Sequence, residues 1–176
     1  MSGCELDRSP RLGPHAGMRF PVLPAAVALV LIAAPAGAAE TEAARVVTAQ
    51  GLLGSWSEDC SKEPDLENGW EIISIDPDGE ARTVEEHIEW SSAYRITAAR
   101  RIDARDTWMR LEHNDDGEIY EVVYRLEDNR QRTWRSTDAQ GKVLVDNGLF
   151  TSDGSENGWY MRCGGLLPTT PREKQE

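Results

Sequence analysis

Reactive and metal-binding side chains are scarce in this chain of 176 residues, which has three cysteines and three histidines. No G-x-S-x-G elbow or comparable nucleophile context occurs, so covalent hydrolysis has no foothold in the motifs. No N-x-S/T sequon is present, which agrees with a bacterial source. Bases are few as well, 19 Lys and Arg against 31 Asp and Glu. That deficit excludes nucleic acid and anionic lipid surfaces as natural partners, because both repel a strongly negative protein. Long apolar runs are absent, with one exception.

The exception covers residues 20–39, with the apolar centre AAVALVLIAA at 25–34. Arg8, Arg11 and Arg19 precede it, and Ala36-Gly37-Ala38 closes it. A basic n-region, a short h-region and an A-x-A site make a secretory signal, so residues 1–38 read as a cleaved signal peptide. The competing uncleaved anchor would need this run to span a bilayer, and Pro21, Pro24 and Pro35 argue against it. No cysteine follows the run to carry a lipid. The expected location is periplasmic or secreted, with no membrane attachment after cleavage. Cleavage takes Glu5 and Asp7 from the acids and Arg8, Arg11 and Arg19 from the bases, leaving 29 against 16 and a net charge of −13. Solubility explains such a charge, and it also suits a basic protein partner.

Cys4 leaves with the signal, so the mature chain keeps Cys60 and Cys163. Two cysteines near the ends of one domain in an oxidising compartment read as a structural disulfide. Neither cysteine has a local base or further ligands that would make it a reactive thiol or half a metal site.

Beyond a polar lead-in at 39–50, read as one loose helical stretch, the dominant period is two. Residues 83–90 set Val84, Ile88 and Trp90 on an apolar face against Thr83, Glu85, His87 and Glu89. Residues 93–102 set Tyr94, Ile96, Ala98 and Ile102 against Arg95, Thr97 and Arg101. Residues 118–126 set Tyr120, Val122, Tyr124 and Leu126 against Glu121 and Arg125. Half-buried strands alternate in this way. Turn-formers punctuate them at Asp76-Pro77-Asp78-Gly79, Asp115-Asp116-Gly117, Glu127-Asp128-Asn129, Ala139-Gln140-Gly141 and Asn147-Gly148. The pattern predicts an all-β fold: an antiparallel up-and-down meander of eight or nine strands closing into a small barrel over residues 51–163, followed by a tail at 164–176. Both cysteines fall at C-terminal strand ends, which favours nine strands, or a first segment that folds back.

At Gly54-Ser55-Trp56 the chain resembles the G-x-W opening of lipocalins and related calycin barrels. The resemblance implies a tryptophan, Trp56, at the barrel base with an arginine of the last strand, Arg162, packed over it. The stretch from Gly54 to Cys163 also resembles a set of uncharacterised exported proteobacterial barrels with an early G-x-W-x-x-x-C and a final W-x-x-x-C. That resemblance implies no activity.

Several residues stand out chemically. Glu86 shares the apolar face of its strand, and Arg100 that of the next, so the two are expected to form an interior polar pair. Asp153, Ser155 and Asn157 match the first half of a calcium loop, D-x-S-x-N-G, but Gly164 replaces the closing glutamate, so a polar hairpin loop is the better reading and no metal is expected. His87 reads as a surface histidine among Glu85 and Glu89. The tryptophans at 56, 70, 90, 108, 134 and 159 either fill the barrel or line a pocket. These observations lead to a non-enzymatic exported barrel without cofactor that binds a small apolar ligand or a partner protein. An inhibitor of a secreted hydrolase, a protease or a lysozyme, is the alternative, and an enzyme comes third. An apolar pocket above about 300 Å³ would favour the ligand over surface recognition.

Overall fold

The computed structural model describes residues 39–164. The signal peptide expected at 1–38, and the tail from residue 165 onward, lie outside the described residues. One helix, α1 (Glu42–Ala49), precedes ten antiparallel strands: β1 (Gly54–Ser57), β2 (Trp70–Ile75), β3 (Ala81–Glu86), β4 (Ser91–Arg101), β5 (Asp106–His113), β6 (Ile119–Glu127), β7 (Arg130–Thr137), β8 (Val143–Asp146), β9 (Leu149–Phe150) and β10 (Tyr160–Cys163).

Strands β1 to β7 follow one another as a meander, and β10 pairs with both β7 and β1. Eight strands therefore close into a barrel, while β8 and β9 form a hairpin attached beside β7. Asn147 and Gly148, the expected turn-formers, join β8 to β9, both at positive φ (52° and 74°). Such a pair makes the tight turn whose twist matches a hairpin. Asp128 and Asn129 do the same between β6 and β7, at φ 50° and 59°.

With an even strand count, the first and last barrel strands run antiparallel, and Ser55 stands opposite Cys163. The disulfide forms because the chain folds back after β1, the second of the two routes the cysteine positions allowed. Asn68 holds that return. Its carboxamide oxygen accepts from Ser57 Oγ and from the Asp59 amide, both at 2.9 Å, and its nitrogen donates to the Asp59 carbonyl at 3.2 Å. Cys60 thereby bonds Cys163 across a Cα separation of 5.4 Å.

Residues 39–50 are not a loose polar lead-in. Thr41 caps α1 by accepting from the Ala44 amide at 3.2 Å, which satisfies one of the amides left open at a helix start. Ala43, Ala44 and Val47 then share one buried face with spacing suited to a helix. That face joins Leu52, Ile73, Ala81, Ile96, Ala99 and Met109 in the main apolar core. The Thr41 amide donates to the Gly79 carbonyl, and Thr107 Oγ1 donates to Gln50 Oε1 at 3.4 Å. The helix thus stops the barrel end formed by the β2–β3 and β4–β5 turns.

The inward faces follow the expected phase on β6, where Val122 and Tyr124 are buried. They depart from it on β3 and β4. Ala81 and Thr83 are fully buried and Glu85 faces the barrel interior, so the face read as polar and outward is the inner one. On β4 a bulge at Thr97 shifts the register between Ile96 and Ala98. One extra residue flips every side chain beyond it. Tyr94 and Ile96 point inward as expected, but Ala99 replaces Ala98, and Arg100 turns outward.

The expected interior pair of Glu86 and Arg100 therefore does not exist. Arg100 is exposed and lies 5.1 Å over the Trp108 ring, while Glu86 accepts from Ser91 Oγ at 3.2 Å. Glu86 stands opposite Ser91, nine residues from Arg100 along β4, which is about 30 Å of strand.

Candidate functional site

The stopped end of the barrel contains the pairing implied by the G-x-W resemblance. Trp56 is fully buried and donates from Nε1 to the Leu52 carbonyl at 2.9 Å. The Arg162 guanidinium lies 4.4 Å over its ring and donates to the carbonyls of Leu53, at 3.0 Å, and Gly51. The arginine ties the chain between α1 and β1 to the last strand.

The other end is hollow. A cavity of about 440 Å³ opens among the β3–β4 hairpin, the start of β6, the end of β7 and the β8–β9 hairpin. Its walls carry aromatic and aliphatic side chains, among them Trp70, Trp90, Tyr94, Leu111, Val122 and Tyr160. Trp90 stacks on His87, with ring centroids 4.0 Å apart. His87, read as a surface residue, therefore lines the cavity. It packs so closely on Gly69 that a Cβ there would stand 2.7 Å from the ring and 2.9 Å from the Tyr160 hydroxyl. His113 faces Tyr94 at a centroid distance of 5.1 Å, with Nδ1 2.9 Å from Asp116 Oδ1.

Acid groups form the inner wall. Glu71 and Glu85 are register partners on β2 and β3, and both line the cavity. Glu71 is buried, and its Oε1 accepts from the Tyr124 hydroxyl and from Thr83 Oγ1 at 3.1 Å. Its Oε2 accepts from Gln131 Nε2 at 2.6 Å. Burial raises its pKa to about 8, the neighbouring Glu85 adds to the rise, and the bonds from Tyr124 and Thr83 oppose it. Burial also raises Glu85, against the pull of His113. The Tyr124 phenol is held well above its ordinary value, first by burial and then by the charge of Glu71. Gln131 is fully buried on the same wall, and its Oε1 has no hydrogen-bond partner. A buried acceptor left unpaired loses its hydration without compensation, so a donor reaching it gains more than usual.

The sequence reading missed Glu71, Glu85 and Gln131. A signal for Glu71 existed in Trp70-Glu-Ile-Ile-Ser-Ile, where it alternates with Ile73 and Ile75. Ile72 and Trp70 give the opposite face equal apolar weight, so the phase was ambiguous.

The calcium-loop candidates do not converge. Asp153 Oδ1 accepts from the Ser155 amide and hydroxyl at 2.9 and 2.7 Å, while Asn157 Nδ2 turns to the Thr133 carbonyl at 3.1 Å. Among the described residues no group of three His, Cys, Asp or Glu side chains is placed to hold a metal ion. No helix among them is long and apolar enough to cross a membrane. Comparison of the chain with protein-family models, with curated proteins and with solved structures finds no match.

Proposed function

We propose that this protein is an exported barrel that binds a small organic molecule in its open cavity. The observation that carries the reading is the cavity of about 440 Å³, enclosed by the barrel wall and lined by aromatic side chains around a few convergent polar groups. Ligand sites have this make-up: an apolar wall for affinity and a few placed polar atoms for orientation. The ligand is not purely apolar, because Glu71, Glu85 and Gln131 would then lie desolvated against it. Export, to a periplasm or the exterior, is supported by the signal-like residues 1–38 and by the disulfide. The lipocalin-like opening at Gly54 and Trp56 with Arg162 agrees with a barrel whose base is closed and whose mouth is open.

A fluorescent probe that brightens in apolar surroundings, 1-aminoanthracene, tests the reading. It should bind saturably at one site. Leu111→Trp, which sends a large ring into the cavity, should abolish binding while leaving the far-ultraviolet circular dichroism unchanged. Absence of saturable binding by the wild-type protein, or equal binding by the filled variant, would overturn the proposal.

A further inference from the structure

The acids of the cavity wall lack cationic partners. Two carboxylates, Glu71 and Glu85, face it from adjacent strands, and among the described residues neither forms a salt bridge. Among the described residues Arg132 is the one arginine lining the cavity; its guanidinium lies over the rings of Trp134 and Trp159 and 3.7 Å from the exposed Glu156, turned from the two acids, and its buried Nε has no hydrogen-bond partner. Beside the acids, Gln131 Oε1 is buried without a donor. Around them stand the aromatic rings of Trp70, Trp90, Tyr94 and Tyr160.

From this arrangement we infer that the ligand is a small organic cation, a protonated amine carried on an apolar body. The inference rests on the cavity being a binding site and names the class of molecule it takes. An ammonium group supplies a cationic partner for Glu71 and Glu85, which have none among the described residues, and an N–H donor for Gln131 Oε1. Aromatic faces attract a cation through their quadrupoles, more strongly where water is excluded. The net charge of the chain, −12, steers a cation toward the mouth and an anion away from it. A carboxylate ligand would stand against two carboxyl groups, and a neutral apolar one would leave Gln131 Oε1 without a donor.

The protonation chemistry supports the same ligand. The titratable groups of the wall are Glu71, Glu85, His87, Tyr94, Tyr120, Tyr124, Arg132 and Tyr160, with His113 packed behind Tyr94. With Glu71 raised to about 8, the empty site holds a proton at neutral pH, and a bound ammonium displaces it. Affinity for a permanently protonated amine should then rise with pH toward 8, as the carboxyl ionises unaided.

Calorimetric titration of the disulfide-bonded protein with 2-phenylethylammonium, 2-phenylethanol and 3-phenylpropanoate tests the inference, since the three differ mainly in charge. The ammonium should bind at least about tenfold tighter than the alcohol, and the carboxylate weaker than either. From pH 6 to 8 the ammonium affinity should rise about tenfold or more, while the alcohol stays level. Glu85→Gln should cut the preference for ammonium over alcohol, and Gln131→Leu should weaken the ammonium more than the alcohol. The wild-type comparison needs no variant to fold. Alcohol or carboxylate binding as tightly as the ammonium overturns the cation inference while leaving the cavity reading intact. Failure of all three probes together with 1-aminoanthracene overturns both.

Discussion

Burial disfavours the charged form of Glu71, and its effect on stability follows from the sign of its shift. Its folded pKa of about 8 lies above the ordinary 4.5, so between these values the unfolded chain ionises while the native carboxyl keeps its proton. Stability is therefore fullest below 4.5 and is lost as pH rises toward 8, by a few kcal/mol, on the order of 4, for this group alone. Glu85 is shifted in the same direction and adds to the loss. Glu71→Gln keeps the shape and removes the charge. Urea denaturation at pH 5 and at pH 8 should show the wild type losing stability over this interval and the variant losing clearly less. Parallel pH dependence in the two proteins would mean that Glu71 is ionised without strain. Residue chemistry of this kind was poorly legible beforehand. Cys60, Cys163, Trp56 and Arg162 could be placed because each belongs to a spacing or a local motif. Glu71, Glu85 and Gln131 belong to none: the β2–β3 register sets the two acids side by side, and closure of the barrel brings Gln131 to Glu71.

At the scale of elements, the strands and turns were legible and the faces only partly so. Period-two alternation located β4 and β6 closely, since aromatic and β-branched residues recur there between glycine and Asx turns. Alternation assigns an inner face only where one face is clearly apolar. On β3, Val84 outweighed Ala81 and Thr83 in the sequence, although the small pair packs inward and Glu85 follows it. On β4 the bulge at Thr97 has no composition signal, and it alone decides that Arg100 faces water. The helix was under-read for a related reason: two alanines and a valine make a weak stripe until a barrel end lies against them. That stripe makes a test. Val47 is fully buried, so Val47→Asp places an unpaired charge against the core. The cost should be about 3 kcal/mol or more in chemical denaturation. Glu42→Ala on the exposed side of α1 should leave stability within about 0.5 kcal/mol of wild type. Equal, small effects at both positions would detach the helix from the fold.

For the molecule as a whole, the disulfide joins the returning segment after β1 to the last strand across 103 residues. A crosslink over so long a loop restricts the unfolded chain, and its loss should cost about 2–5 kcal/mol. Cys60→Ala with Cys163→Ala should lower the denaturation midpoint accordingly while the strand content is kept. In the wild type, neither thiol should react with an alkylating reagent before reduction, as intact mass would show. Free thiols in protein folded under oxidising conditions would contradict the bridge. The barrel itself was legible at this scale, because its rhythm of short strands and turns runs the full length of the domain. The hollow mouth was not, since an unfilled volume depends on how side chains from eight strands interdigitate.

The closing strand has a consequence for the order of events in the life of the chain. β10 is four residues long, ends at Cys163, and pairs with both β1 and β7. The barrel seam thus waits for nearly the last residue described, and contacts so distant along the chain form slowly. A polypeptide still emerging from a ribosome, lacking residues 160–163, has β1 without one neighbour and β7 without another. It remains an open, unlocked sheet for as long as synthesis continues. Under the export proposed above, that delay keeps the chain threadable through a translocation pore, and the seam and its crosslink are set together on the far side.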